Sequence, residues 1–457
     1  MDFKDGEITE RLVDHSLGLR YDDLPADVVH RTKHLFLDFL AVAFGGKHLA
    51  ESSAAIMEGV MDLAMGQSGP STIVGQSNTT TAHFAALLNG TFAHSLDFDD
   101  THREAIIHPG APIFATLMAV AEKHCNSGRD VISGAVAAYD MAIKINKAIG
   151  EGIHKRGFHA SATTGIFGAT IGGARLMGLT REQALNAVGL NGSQAAGSQQ
   201  FLEFGGWNKR LHVGLAAHNA IYALILAQHG FQGATRPLEG RYGYVFNFSA
   251  DGWDVSKIDV PNGDFEIMKT GIKPYPCCRY NHGPIDAVME LTSENKLGLD
   301  AIASMDLYFS PLGHEVVGIP VALKRNPSTI VEGQFSAYFA AAAAAVDQGY
   351  TWDSYRKLQD PKVKALMEVT TAHPDPRLER FGSRVDITTR DGRIFSRHVP
   401  LATGEPERFP GWEDEVIKFK DMAEPILGVS GAGQVVESIA DMENCDDFGL
   451  ITRMLRI

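Results

Sequence analysis

Cysteine is scarce: four residues in 457, too few for a disulfide framework. No stretch approaches ~18 consecutive apolar residues, so no membrane span is expected. No block of lysine or arginine occurs, and 41 Lys+Arg against 55 Asp+Glu leave a formal net charge of −14. That balance argues against a nucleic-acid binder held by phosphate contacts. The first residues, Met1-Asp2-Phe3-Lys4-Asp5, show neither the basic start and apolar run of a secretory signal nor an arginine-rich transit pattern. A cytoplasmic protein is therefore expected. There is no Walker A motif, no G-x-G-x-x-G after a strand, no G-x-S-x-G and no H-E-x-x-H. Repeats of fixed period and low-complexity linkers are missing too.

What is present is ordinary for a globular protein: 44% hydrophobic and 21% charged residues. The length suits two or more domains, with enough core to need no disulfide or metal staple. The first 260 or so residues read as successive helices. Val28, Val29, Thr32, Leu35, Phe36, Phe39, Leu40 and Phe44 recur at helical spacing, and Gly45-Gly46 is expected to stop that helix. Further helices are expected from Thr79, over Ala111–Cys125, over Asp130–Ile149, after a Thr180/Gln183 capping box, and over Leu215–His229. Many of their residues are Ala and Gly, which let helix axes approach closely.

The pattern changes near residue 265. Met305 to Phe309 alternates as a strand does, and Val385–Thr389 and Arg393–Val399 flank the turn Arg390-Asp391-Gly392. Helices are expected at His282–Asn295 and Glu332–Asp347, the second with seven alanines between Ala337 and Ala345. The expected fold is mainly α with a smaller α+β domain. A large, discontinuous all-helical domain takes 1–264 plus 405–457, and an α/β-sandwich-like lid domain takes 265–404.

Four segments concentrate polar chemistry. Three aspartates and three histidines fall within the fifteen residues His94 to His108, which suits a divalent metal site or an acid–base site. The basic loop His154-Lys155-Arg156-Gly157-Phe158-His159 runs into a helix, a natural place for an anion. Trp207-Asn208-Lys209-Arg210-Leu211-His212 reads as a loop just before the next helix, where Lys209 and Arg210 could clamp a carboxylate. The fourth, Lys273-Pro274-Tyr275-Pro276-Cys277-Cys278-Arg279, is stiffened by two prolines. Adjacent cysteines with no C-x-x-C partner do not suit zinc, so Cys277 and Cys278 read as buried small hydrophobes. The combination suggests acid–base chemistry on a small polyanion, with no metal and no nucleotide.

At these segments, together with Leu37-Asp38 on the first long helix and Thr163-Thr164-Gly165, the sequence resembles the MmgE/PrpD family. That family includes 2-methylcitrate dehydratase, cis-aconitate decarboxylase and iminodisuccinate epimerase. The resemblance covers essentially the whole chain. It implies a homodimer with no metal or organic cofactor, and a pocket lined by Asp97, Thr101, His108, His159, Lys209 and Lys273. The chain departs from the family in two places. One extra residue separates Thr101 from His108 relative to the decarboxylases. Cys278 stands where decarboxylase and dehydratase members carry His.

The reactions of this family share a carbanion beside a carboxylate, made or quenched, whose charge needs preorganised cations and donors. On that basis His108 and His159 are the expected proton-transfer pair. Asp97 would orient a His or Lys, Thr101 would donate a hydrogen bond, and Lys209 would meet substrate. Lys273, Arg279 and Arg210, with Lys209, would bind substrate carboxylates, and Cys278 and His282 are expected to face the same pocket as substrate-binding residues, where His282 could replace the missing imidazole. The expected activity is that of a 2-methylcitrate dehydratase-like lyase. The alternatives are an iminodisuccinate epimerase-like isomerase or a cis-aconitate decarboxylase-like lyase and, from other classes, a non-catalytic carboxylate-binding protein or a metal-dependent hydrolase built on Asp97, Asp99, Asp100 and His108.

Overall fold

A computed structural model describes residues 8–258 and 264–457. The chain forms two compact units, Met1–Gly271 with Gly411–Ile457, and Ile272–Pro410. The first is helical apart from short two-residue strands, the second mixes helices with a sheet, and the fold is mainly α with a smaller α+β part.

In the first unit the long helices Ala26–Leu49, Ala82–Ala93, Gly110–His124, Gly128–Ile149, Gly165–Leu176 and Asn208–Gln228 pack on one another. The C-terminal run Trp412–Ala440 returns against Ala26–Leu49 and is kinked at Gly428, where φ is +70°. Phe36, Phe39, Phe114 and Phe448 meet at the centre, with ring centroids 5.2–6.0 Å apart. Small residues set the spacing. A Cβ on Gly214 would overlap the Thr91 hydroxyl and the Leu87 carbonyl, so Asn208–Gln228 can lie directly on Ala82–Ala93. Gly45-Gly46 does not stop its helix, which runs on to Leu49. Gly46 instead makes room for the Phe92 carbonyl.

Caps fix several starts. Ser127 and Asp130 form a reciprocal box, and so do Thr180 and Gln183. The helix expected at Leu215 begins at Asn208, so Lys209, Arg210 and His212 lie on its first turns and not in a preceding loop. This 21-residue helix is long and apolar enough to cross a bilayer by composition. It is half buried among helices of the same unit and carries Lys209, Arg210, His212 and His218, which mark it as a core helix.

In the second unit the strand order is Thr370–Pro374, Ile302–Phe309, Ser383–Thr389, Ile394–Val399. The first pair is parallel, with Met305 opposite Thr370, and the other pairs are antiparallel. Gly392, at φ +86°, closes the expected hairpin. Helices His282–Glu294 and Ala337–Asp347 pack on each other and against this sheet. The helix expected over Glu332–Asp347 is two helices. Thr329 and Glu332 box the start of Ile330–Gln334, and the Ser336 side chain caps Ala337–Asp347.

Candidate functional site

The helix Ala82–Ala93 ends at His94, and the chain then becomes irregular. Asp97 takes a left-handed backbone with φ +53°, a conformation that costs energy for a residue other than Gly. The reversal sends Asp97 and Asp99 to different partners. Asp97 forms an ion pair with Lys209 from the start of Asn208–Gln228. Asp99 enters between two imidazoles: Oδ2 is 2.7 Å from His94 Nδ1, and Oδ1 is 3.4 Å from His108 Nδ1. Asp100 faces the other way and accepts hydrogen bonds from the Gly110 amide at 2.9 Å and the Tyr139 hydroxyl at 2.6 Å.

Thr101 and His102 pair with Gly271 and Thr270 as a short antiparallel ladder. Ile106, at φ +55°, tightens the turn that brings Ile107 back to His102. His102 Nδ1 accepts from the Ala105 amide at 3.0 Å, so its proton sits on Nε2, 3.3 Å from Glu266. Burial pushes the Glu266 carboxyl up, but hydrogen bonds and charge from His102 and Lys147 outweigh it and hold it at about 2. His102 therefore belongs to a structural ion cluster.

His108 is anchored at both ends. Its amide donates to the Ser161 hydroxyl at 3.0 Å, and its Nδ1 is 2.8 Å from the Asp100 carbonyl. A carbonyl only accepts, so Nδ1 carries the proton and Nε2 is bare in the neutral ring. His159, whose amide donates to the Gly197 carbonyl at 2.8 Å, precedes the short helix of Ser161. The ring centroid of His94 lies 4.9 Å from that of His108 and 5.4 Å from that of His159, and His212 lies 5.6 Å beyond His159. His212 follows Lys209 by three residues, so both lie on one helix face.

Electrostatics divide this cluster. Burial lowers His94 to about 4 against the opposing pull of Asp99. Burial, aided by the positive charge of His94, Lys209, His212 and His108, holds His159 well below the usual imidazole range. Burial pushes Asp99 up, yet the charges and hydrogen bonds of His94 and His108 win and hold it well below the usual carboxylate range. Behind the cluster Lys418 pairs with Asp38 and donates to the Phe98 carbonyl at 2.9 Å. Burial pushes Asp38 up to about 6 despite Lys418, and Glu415, one turn from Lys418, up to about 8.

The first unit thus gathers Asp97, Lys209, His108 and His159, with Thr101 on the same loop. Arg210 bonds the Ser52 hydroxyl at 2.9 Å. Lys273, Cys278, Arg279 and His282 lie in the second unit, all buried. The Cys278 amide donates to the Gln334 carbonyl at 2.9 Å. His282 opens its helix with Nε2 3.3 Å from the Cys277 carbonyl and its ring edge-on to Tyr275. Arg279 places Nε 2.6 Å from Glu405 and lies over the Phe381 ring, so its charge is matched within the unit. Of the acidic residues considered as metal ligands, Asp97 and Asp100 are occupied as described. His94, Asp99 and His108 instead bring ligand-type atoms within 4.8 Å of one another, through the His94–Asp99 hydrogen bond and the His108–Asp99 ion pair already given. His94 and His212 are the members of the cluster that the sequence does not assign, and Asp99 is assigned there only as a metal ligand, although all three stand in the polar segments marked.

The chain belongs to the MmgE/PrpD family: the model of the family's N-terminal domain matches residues 10–256 and that of its C-terminal domain residues 275–444. It is 25% identical over 476 residues to a cis-aconitate decarboxylase of Aspergillus terreus, covering 98% of this chain and 96% of that protein. It is 24% identical over 468 residues to the cis-aconitate decarboxylase of Homo sapiens, covering 98% and 94%. A cis-aconitate decarboxylase-like protein, oryM, of Aspergillus oryzae is 24% identical over 469 residues, covering 97% and 96%.

Proposed function

We propose that this chain is a lyase that releases CO₂ from a small unsaturated tricarboxylate of the cis-aconitate type. By sequence alone a 2-methylcitrate dehydratase-like lyase stands first. Similarity along nearly the full length to proteins named for decarboxylation favours the alternative. The observation that carries the reading is the imidazole cluster around Asp99 beside the Lys209–Asp97 pair.

In a β,γ-unsaturated carboxylate the C–CO₂ bond breaks with its electron pair passing into the allyl system and onto a neighbouring carboxylate. In this reading Lys209, held by Asp97, and the Thr101 hydroxyl meet that developing enolate. His108, doubly protonated, gives its Nε2 proton to the far allyl carbon. One carboxylate leaves as CO₂, one C–H bond forms, and one proton is consumed. Solvent restores it, since the His108 side chain is 15% exposed. His159, kept neutral by its surroundings, offers a hydrogen bond without adding charge.

Cys278, in place of the family His, favours a second reading, epimerisation of iminodisuccinate. The test is a panel of cis-aconitate, citrate, 2-methylcitrate and iminodisuccinate in D₂O, followed by NMR. CO₂ loss from cis-aconitate is the expected result. Water loss from 2-methylcitrate, or deuterium exchange confined to iminodisuccinate, would replace the proposal.

A further inference from the structure

Asp99 sits in the middle of the imidazole cluster, and the family resemblance assigns it no role. Its side chain is 2% exposed, and each oxygen faces a different ring, His94 Nδ1 at 2.7 Å and His108 Nδ1 at 3.4 Å. An ionised carboxylate only accepts hydrogen bonds, so His94 Nδ1 must present its proton to Oδ2. The Asp100 carbonyl makes the same demand of His108. The other titratable groups around these rings are His159 stacked on His94, His212 beyond it, the Lys209–Asp97 pair, Asp100 with Tyr139, and Asp38 with Lys418.

We propose that Asp99 is a positioning residue for proton transfer: it fixes His94 in one tautomer, with protonated Nδ1 and bare Nε2, and stabilises the doubly protonated ring of His108, whose tautomer the Asp100 carbonyl sets. The proposal rests on His108 being the proton-transfer residue. His94 supports it by donating to Asp99 at 2.7 Å, without which a buried anion would be poorly solvated. The balance of forces on Asp99 agrees, since its two imidazole partners outweigh burial and keep it ionised.

Asp99→Asn tests this. The amide keeps the shape but offers one acceptor and one NH₂ group. The Asp100 carbonyl holds the His108 proton in place, so His94 is the ring that must turn its Nδ1 into an acceptor and move its proton to Nε2. Nitrogen-15 spectra of histidine-labelled enzyme, assigned with His94→Gln and His108→Gln, report this without substrate. In the unsubstituted enzyme both rings are expected to show a protonated Nδ1, and in Asp99→Asn the His94 pattern is expected to invert. In the decarboxylation assay kcat is expected to fall by about 10²–10⁴-fold with little change in KM. The limb of the pH–rate profile on which the donor loses its proton is expected to move to lower pH, because an imidazolium holds its proton less tightly beside an amide than beside a carboxylate. Unchanged tautomers, or a lower melting temperature with kcat within twofold, would overturn the proposal. Should Asp99→Asn not fold, a bare Nδ1 on either ring of the unsubstituted enzyme would overturn it as well. Absence of decarboxylation with the expected spectra would instead count against the substrate assigned above.

Discussion

Burial holds His159 well below the usual imidazole range, and Lys209 and three further imidazoles around it add to the effect. His108 differs, with the Asp99 anion beside it and a side chain that is 15% exposed. That contrast separates a donor of protons from a neutral hydrogen-bonding ring. His108→Ala is expected to lower kcat by about 10²–10⁴-fold, and His159→Ala to lower it less. Near-normal turnover in both would remove the pair from the chemistry. Glu415 makes a prediction about stability. Its carboxyl is pushed up to about 8 by burial and by the charge of Asp38, so the folded state holds a proton there that the unfolded state gives up near the ordinary value of 4.5. Between those values the folded state binds more protons, and stability falls as pH rises. The slope is at most roughly 1.4 kcal/mol per pH unit for one proton. Glu415→Gln is expected to lose less melting temperature than the unsubstituted protein between pH 6 and pH 8. An identical loss would show that Glu415 does not titrate in that window.

At the scale of elements, regular helices with cap or periodicity signals were legible, and so was the hairpin around Gly392. The irregular parts were not, for physical reasons. The helix Asn208–Gln228 begins after Trp207, whose side chain makes no capping bond, so its polar first turns read as loop and the Lys209/His212 face was missed. Strand Thr370–Pro374 escaped notice because it is short, ends in Pro and pairs in parallel with a strand some sixty residues earlier. That Asp99, and not Asp97, enters between the imidazoles depends on the left-handed turn at Asp97, which no periodicity announces. The dense His94–His108 segment is where His94, Asp99 and His108 come together. Gly45-Gly46 shows the reverse error, since a pair read as a stop is a packing notch. Gly46→Ala is expected to destabilise by about 2–3 kcal/mol in a urea titration, because the Phe92 backbone cannot yield as a side chain would. Gly59→Ala, on a helix with open space around it, is expected to be neutral or slightly stabilising. Equal effects at both positions would refute the close-approach argument.

At the scale of the whole molecule, one helical unit is interrupted by one α+β unit, the family's C-terminal model spans the α+β unit and part of the returning helical stretch, and the similarity to the decarboxylases runs almost end to end. We propose, following the family resemblance, that two copies associate. Sedimentation equilibrium is expected to return twice the chain mass of 49.4 kDa, and a single chain mass at micromolar concentration would contradict this. The central claim is that a histidine held by Asp99 protonates a carbanion left by departing CO₂. The most direct test is conversion of ¹³C-labelled cis-aconitate in D₂O, followed by NMR. Labelled CO₂ is expected to be released in step with a five-carbon dicarboxylate carrying one solvent deuteron on the carbon next to a remaining carboxylate, with near-loss of both signals in His108→Ala. Substrate that keeps all its carboxylates while losing or gaining water, or exchanging deuterium alone, would contradict it.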